Sequence, residues 1–115
     1  MIAKYAEMSI TERANIQGGI GVIHCRNVFE KEALIGKTRY FARMRFKPGE
    51  SIGAHPHVDN VEFYYILSGD FEVTEEGHKE KLQAGDAVMT GNGDVHSIIN
   101  IGNCDGELLA IVIDN

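Results

Sequence analysis

At 115 residues, 43% of them hydrophobic, the chain can bury one core and is too short for two ordinary domains. A formal net charge of −6 opposes binding to a phosphate backbone, which requires clustered lysine and arginine, so no nucleic-acid partner is expected. No apolar run approaches the ~20 residues of a membrane helix, and the opening "MIAKYAEMSI" lacks the long apolar segment of a secretory signal, so a soluble cytoplasmic protein with no membrane partner is expected.

Residues 1–37 read as strands and loops that pack on the main body or on a dimer partner. "GGIG" (18–21) is a turn leading into the strand "VIHC", and "NVFEKEALIG" (27–36) holds at most a short helical turn. Cys25 and Cys104 make no disulfide framework, and both are expected as buried free thiols. "TRYFARMRF" (38–46) alternates: Tyr40, Ala42, Met44 and Phe46 share the face that looks into a core, while Arg43 and Arg45 point outward. "EFYYILSGDFEVTEEG" reads as two strands joined by a tight hairpin turn at Ser68-Gly69-Asp70, with Gly77 marking a second turn of the same kind. "AVMT" (87–90), "VHSIIN" (95–100) and "ELLAIVI" (107–113) complete the series. The last is apolar on both faces, so it is either sandwiched or set against another subunit. Frequent glycine and only two prolines fit an all-β chain, a small barrel or sandwich.

The stretch "GESIGAHPHVDNVEFYYILSG" (49–69) carries candidate chemistry. His55 and His57 stand at i and i+2, which on an extended strand puts both side chains on one face. Glu62 has the wrong parity for a continuous strand, but Asp59 and Asn60 are turn formers that let it point back from the adjacent strand. His96 is a fourth candidate, with Ile98 and Asn100 on its own face. Three imidazoles and a carboxylate suit manganese, iron, nickel, copper or zinc with coordination positions left open. Spacing alone leaves a surface or hydrogen-bonding role for the histidines equally open. Tyr64 and Ile66 share the parity of Glu62. Tyr40, Met44, Ile52, Tyr64 and Ile98, with Ala42, are candidates to line a substrate pocket or simply to fill the interior. His24 and His78 are read as structural and solvated, respectively.

Residues 49–69 fit the pattern G-x5-H-x-H-x4-E-x6-G at Gly49, His55, His57, Glu62 and Gly69. Residues 85–100 fit G-x5-P-x-G-x2-H-x3-N at Gly85, Gly93, His96 and Asn100, with Gly91 in place of the proline. This pair of motifs resembles that of the cupin superfamily. The resemblance implies a jelly-roll β-barrel over about residues 38–113 within one domain spanning 1–115, one divalent transition-metal ion per chain on His55, His57, Glu62 and His96, and a homodimer. It also implies a metal-dependent enzyme acting on a small carboxylate, oxalate-decarboxylase-like or dioxygenase-like. The alternatives are a non-catalytic module for a metal and a small ligand, and a sugar-phosphate-isomerase-like protein. No residue outside the ligand set declares itself as proton donor or base. Gly91 leaves the loop before His96 freer than proline would.

Overall fold

Alternating apolar and polar side chains give strands one buried and one exposed face, and such strands are stable only when two sheets close over the apolar sides. The computed structural model describes all 115 residues. The strands are β1 (Ile10–Ala14), β2 (Val22–Asn27), β3 (Thr38–Phe46), β4 (Ser51–Pro56), β5 (Asn60–Ser68), β6 (Phe71–Glu75), β7 (His78–Leu82), β8 (Ala87–Thr90), β9 (Val95–Asn100) and β10 (Gly106–Asp114). Single 3-10 turns lie at Tyr5–Glu7, Ile16–Gly18 and Lys31–Ala33. A six-stranded antiparallel sheet in the order β1-β2-β3-β10-β5-β8 faces a four-stranded one in the order β4-β9-β6-β7. This is a jelly roll. No strand is common to the two sheets, so the expected barrel is an open sandwich rather than a closed ring of hydrogen bonds. No helix is long and apolar enough to cross a membrane.

The core is built from the inward parity of both sheets: Ala42, Met44 and Phe46 on β3, Tyr64 and Ile66 on β5, and Leu108 and Ala110 on β10 face Ile52, Phe71, Val73 and Ile98. Each such large side chain contributes roughly 1.5–3 kcal/mol on burial. At one end Phe46 and Phe71 meet edge to face across the sandwich, 5.2 Å apart. Asn100 reinforces that end, its Nδ2 donating to the carbonyls of Phe46 (2.9 Å) and Cys104 (3.0 Å) while its Oδ1 accepts from the Gly102 N–H. The outward parity of β3 is also as expected, with Arg43 and Arg45 pairing with Glu107 at 2.6 and 3.5 Å.

Two expectations change, and one strand is added. Gly69 does adopt a left-handed conformation, φ +87°, and a Cβ there would lie 2.7 Å from the Gly106 Cα. The turn is not a hairpin, however, because β5 belongs to the larger sheet and β6 to the smaller, so the chain crosses the sandwich at this point. The hairpin comes next, where Glu76 and Gly77, both at positive φ, join β6 to β7. Strand β7, "HKEKL", has no apolar alternation because it is an edge strand, exposed along most of its length. Lastly, Cys25 is buried as expected, but Cys104 is exposed; both are free.

Strands β1 and β2 extend the larger sheet, and the 3-10 turn after β1 packs on β4. Gly19 and Gly53 permit that approach: a Cβ on Gly53 would lie 2.1 Å from the Gln17 carbonyl oxygen, and one on Gly19 2.2 Å from that of Ser51. β10 lies between β3 and β5, and its second apolar face, Leu109, Ile111 and Ile113, is half-buried on the outer surface of the sheet.

Candidate metal centre

His55 lies on β4, His57 just beyond its end, His96 on β9 and Glu62 on β5. Glu62 therefore reaches the histidines from the facing sheet, not from an adjacent strand as its spacing suggests. Asp59, at φ +63°, turns the chain between them. The loop before β9 is tied down despite Gly91: the Gly93 N–H donates to the His57 carbonyl at 2.8 Å, and the His57 N–H to the Asp94 carbonyl at 3.1 Å.

The Nε2 atoms of His55, His57 and His96 lie 3.1 Å from one another. Glu62 Oε1 is 3.0 Å from His57, 3.2 Å from His96 and 3.9 Å from His55. One donor atom from each of the four thus lies within 4.8 Å of the others. The hydrogen bonds behind the rings fix what these atoms are. His55 Nδ1–H donates to the Gly53 carbonyl at 2.7 Å and His57 Nδ1–H to Asn60 Oδ1 at 2.6 Å. Both partners only accept, so the proton sits on Nδ1 and each Nε2 presents a lone pair to the centre. His96 is oriented differently: its Nδ1 is buried without a partner, and its ring stacks on Tyr64, 5.0 Å away and 4° from parallel.

Converging lone pairs and a carboxylate repel one another unless a cation or protons stand among them. A metal fits. Metal–nitrogen bonds of about 2.0–2.1 Å would put neighbouring donors roughly 2.8–3.4 Å apart for angles between a right angle and the tetrahedral one, a range that contains the 3.1 Å spacing of the three nitrogens. Without a metal, protons take that place. Burial pushes the Glu62 carboxyl up, but hydrogen bonds from the three imidazoles outweigh it and hold the group well below the usual carboxylate range. The Glu62 contact raises His57 above the ordinary imidazole value, against the opposing effect of burial. Burial and the nearby charge of Glu62 push the Tyr64 hydroxyl well above 10, so it remains a neutral donor.

The centre opens into a cavity of about 500 Å³. Tyr40, Met44, Ile52 and Tyr64 line it, whereas Ile98 and Ala42 lie in the packed core, 1% and 0% exposed. The rim also receives Arg13, Lys31 and Arg39, which are remote in sequence from the histidines. Asn60 and Gly53, which orient two of the rings, are recognisable in the sequence only as a turn former and a glycine. An oxygen acceptor three residues after His57 was the available signal. Elsewhere, His24 pairs with Glu12 at 3.2 Å and His78 with Glu80 at 2.7 Å, both away from the centre.

Comparison with known proteins agrees with the fold. The cupin domain family matches residues 42–112. An oxalate-binding protein from Thermotoga maritima is 39% identical over 113 residues, covering 98% of this chain and 93% of that one. A crystal structure of a predicted oxalate decarboxylase from the same organism superposes with a TM-score of 0.94 at 38% identity, with both chains covered in full. The structure of KdgF from Halomonas sp. has the same fold at 19% identity, with a TM-score of 0.82 over 100% of this chain and 94% of the other. The chain belongs to the cupin domain family.

Proposed function

We propose that the chain holds one divalent transition-metal ion on His55, His57, Glu62 and His96, and uses it to bind a small chelating carboxylate of the oxalate class. The observation that carries this reading is the convergence of three oriented imidazole nitrogens and one carboxylate oxygen at the floor of a cavity. An ion bound there acts as a Lewis acid toward a chelating carboxylate. The chain's own residues supply the rest. Gly53 and Asn60 hold the Nδ1 protons of His55 and His57 and so turn their Nε2 lone pairs toward the centre, Tyr64 holds the His96 ring plane, and Met44, Ile52 and Tyr40 present the wall. Neutral imidazoles bring no charge and Glu62 brings one negative charge, so a divalent centre retains about one positive charge in a weakly screening cavity, which favours acids over neutral ligands. The oxalate-binding relative supports the same ligand class. Two free thiols suit a reducing, cytoplasmic compartment. The outer face of the larger sheet, with Phe41, Phe63, Ile111, Tyr65 (47% exposed) and Met89 (61% exposed), supports a homodimer of one-domain chains.

The test is calorimetric titration of the metal-loaded and metal-stripped protein with oxalate, pyruvate and a neutral sugar, alongside elemental analysis of His55→Ala and His96→Ala. Acids binding only the loaded form, and loss of most metal in both variants, are expected. Full metal occupancy in both variants, or equal binding of the sugar, refutes the reading; turnover of any acid is scored in the same samples.

A further inference from the structure

The cavity is larger than an oxalate needs. At about 500 Å³ it lies within the ~300–1,000 Å³ typical of pockets for much larger ligands, and a two-carbon diacid chelated at its floor leaves most of it unused. Away from the floor it contains an uncommitted cation. Arg13 sits on β1 opposite Ile23, whose side chain is fully buried, so Arg13 projects from the inward face of the sheet. Its guanidinium lies over the Tyr40 ring, 5.8 Å from the centroid, which restrains it against the cavity wall. The other arginine on the cavity, Arg39, is paired with Asp114 at 2.7 Å, and Arg43 and Arg45 share Glu107 outside. Arg13 pairs with no carboxylate of the chain, and Lys31 on the same rim adds a second positive charge. A partly buried guanidinium that sits beside Tyr40 and has no carboxylate partner is suited to a ligand carboxylate, which it can grip through two parallel hydrogen bonds.

The sheet register gives the spacing. Val112 pairs with Glu62 on one side and with Tyr40 on the other. Two strand steps of ~4.8 Å therefore put the backbones of Glu62 and Tyr40 about 10 Å apart, a span that an acid of about four to six carbons covers once its bonds to the centre at one end and to a guanidinium at the other are included. Resting on the chelation reading above, we propose that Arg13 is a specificity-determining residue. Its guanidinium receives the distal carboxylate of a chelating acid whose other end is held at the His/Glu centre. The preferred ligands are then 2-oxo or 2-hydroxy diacids rather than oxalate itself.

The experiment titrates the metal-loaded full chain with oxalate, pyruvate and 2-oxoglutarate by calorimetry, in the wild type, Arg13→Gln and Arg13→Lys, with the metal content of each measured. Wild type is expected to bind 2-oxoglutarate at least ten-fold more tightly than pyruvate. Arg13→Gln removes that preference while changing oxalate and pyruvate affinity less than about three-fold, and Arg13→Lys restores part of it. The wild-type comparison needs no variant, so poor folding of Arg13→Gln does not block the test. If oxalate and pyruvate bind but 2-oxoglutarate binds no better, or if Arg13→Gln weakens all three equally, the role of Arg13 is overturned and chelation stands. If none of the three binds the loaded protein, chelation itself is overturned and this inference falls with it.

Discussion

The short hydrogen bond behind His57 makes Asn60 the most informative position at which to perturb the centre without touching a ligand. Asn60 Oδ1 accepts from His57 Nδ1–H at 2.6 Å, and His57 is only 8% exposed, so bulk water cannot freely replace the lost acceptor in Asn60→Ala. Two effects follow: the ring gains freedom to turn, and Nε2 becomes less basic. Removing such a partner typically lowers metal affinity 10- to 100-fold, which at 1.36 kcal/mol per decade is about 1.4–2.7 kcal/mol. The upper half of that range is expected. Of the three rings, His96 has no Nδ1 partner and His55 relies on the Gly53 carbonyl, so the variant leaves one ring in three oriented by a hydrogen bond. The backbone ladder through Asn60 to Asp114 is unaffected, but the unpaired Nδ1–H should also cost the metal-free protein roughly 1–3 kcal/mol of stability, which its own melt measures separately. Competition against a chromophoric chelator gives the affinities. Asn60→Asp keeps an acceptor and adds negative charge, and should bind at least as tightly as wild type. An Asn60→Ala affinity within two-fold of wild type at unchanged stoichiometry would refute the idea that this hydrogen bond sets the His57 ring.

Gly53→Ala should both destabilise the fold and weaken the metal site, because its Cβ would meet backbone 2.1 Å away and displace the carbonyl that holds His55. Overpacking of about 1–3 kcal/mol lowers the melting temperature by roughly 4–8 °C per kcal/mol, and an unchanged melt would contradict the close packing described. The pH dependence of stability should reverse with metal. In the metal-free protein the raised His57 stabilises below its ordinary value of 6.5 and that contribution is lost as pH rises; the lowered Glu62 stabilises above its ordinary 4.5 and that is lost as pH falls. Melts in chelator should therefore peak at pH between those two values, while metal-loaded melts rise above pH 6.5 as protons cease to compete. A metal-free melting temperature that climbs steadily from pH 5 to 8 would count against this account. Light scattering should give about 25 kDa, twice the 12.7 kDa chain, and Met89→Glu with Tyr65→Glu should shift it toward monomer; a wild-type monomer at high concentration disproves the dimer.

What the sequence revealed were features carried by local pattern. Alternation in 38–46 separates Met44 and Phe46 from Arg43 and Arg45 because a strand's two-residue period is written into neighbouring positions. The positive φ of Gly69 and Gly77 is likewise a local requirement. Which sheet the next strand joins is not local. The turn residues at 68–70 look the same whether the chain folds back or crosses over, so the crossing of β6 was hidden, as was the direction from which Glu62 arrives. Strand β7 escaped notice because an exposed edge strand has no apolar face to betray it. Arg13 lies 42 positions before His55, and only the packing of β1 beside β2 brings it to the same cavity.

Glu62 comes from the larger sheet and the histidines from the side of the smaller one, so an ion held by all four would rivet two layers that share no strand. At the far end the layers are already clamped by Phe46 on Phe71 and by Asn100 on the Phe46 carbonyl. Occupancy should thus act on the mouth of the sandwich, with slower amide exchange at the start of β5 and after β4 than in the stripped protein. The same rivet makes thermal stability a function of free metal: a hundred-fold excess over Kd adds about 2.7 kcal/mol, roughly 10–20 °C for a chain of this size. A substitution anywhere in the protein that is compared at uncontrolled metal concentration will therefore report the buffer as much as the fold.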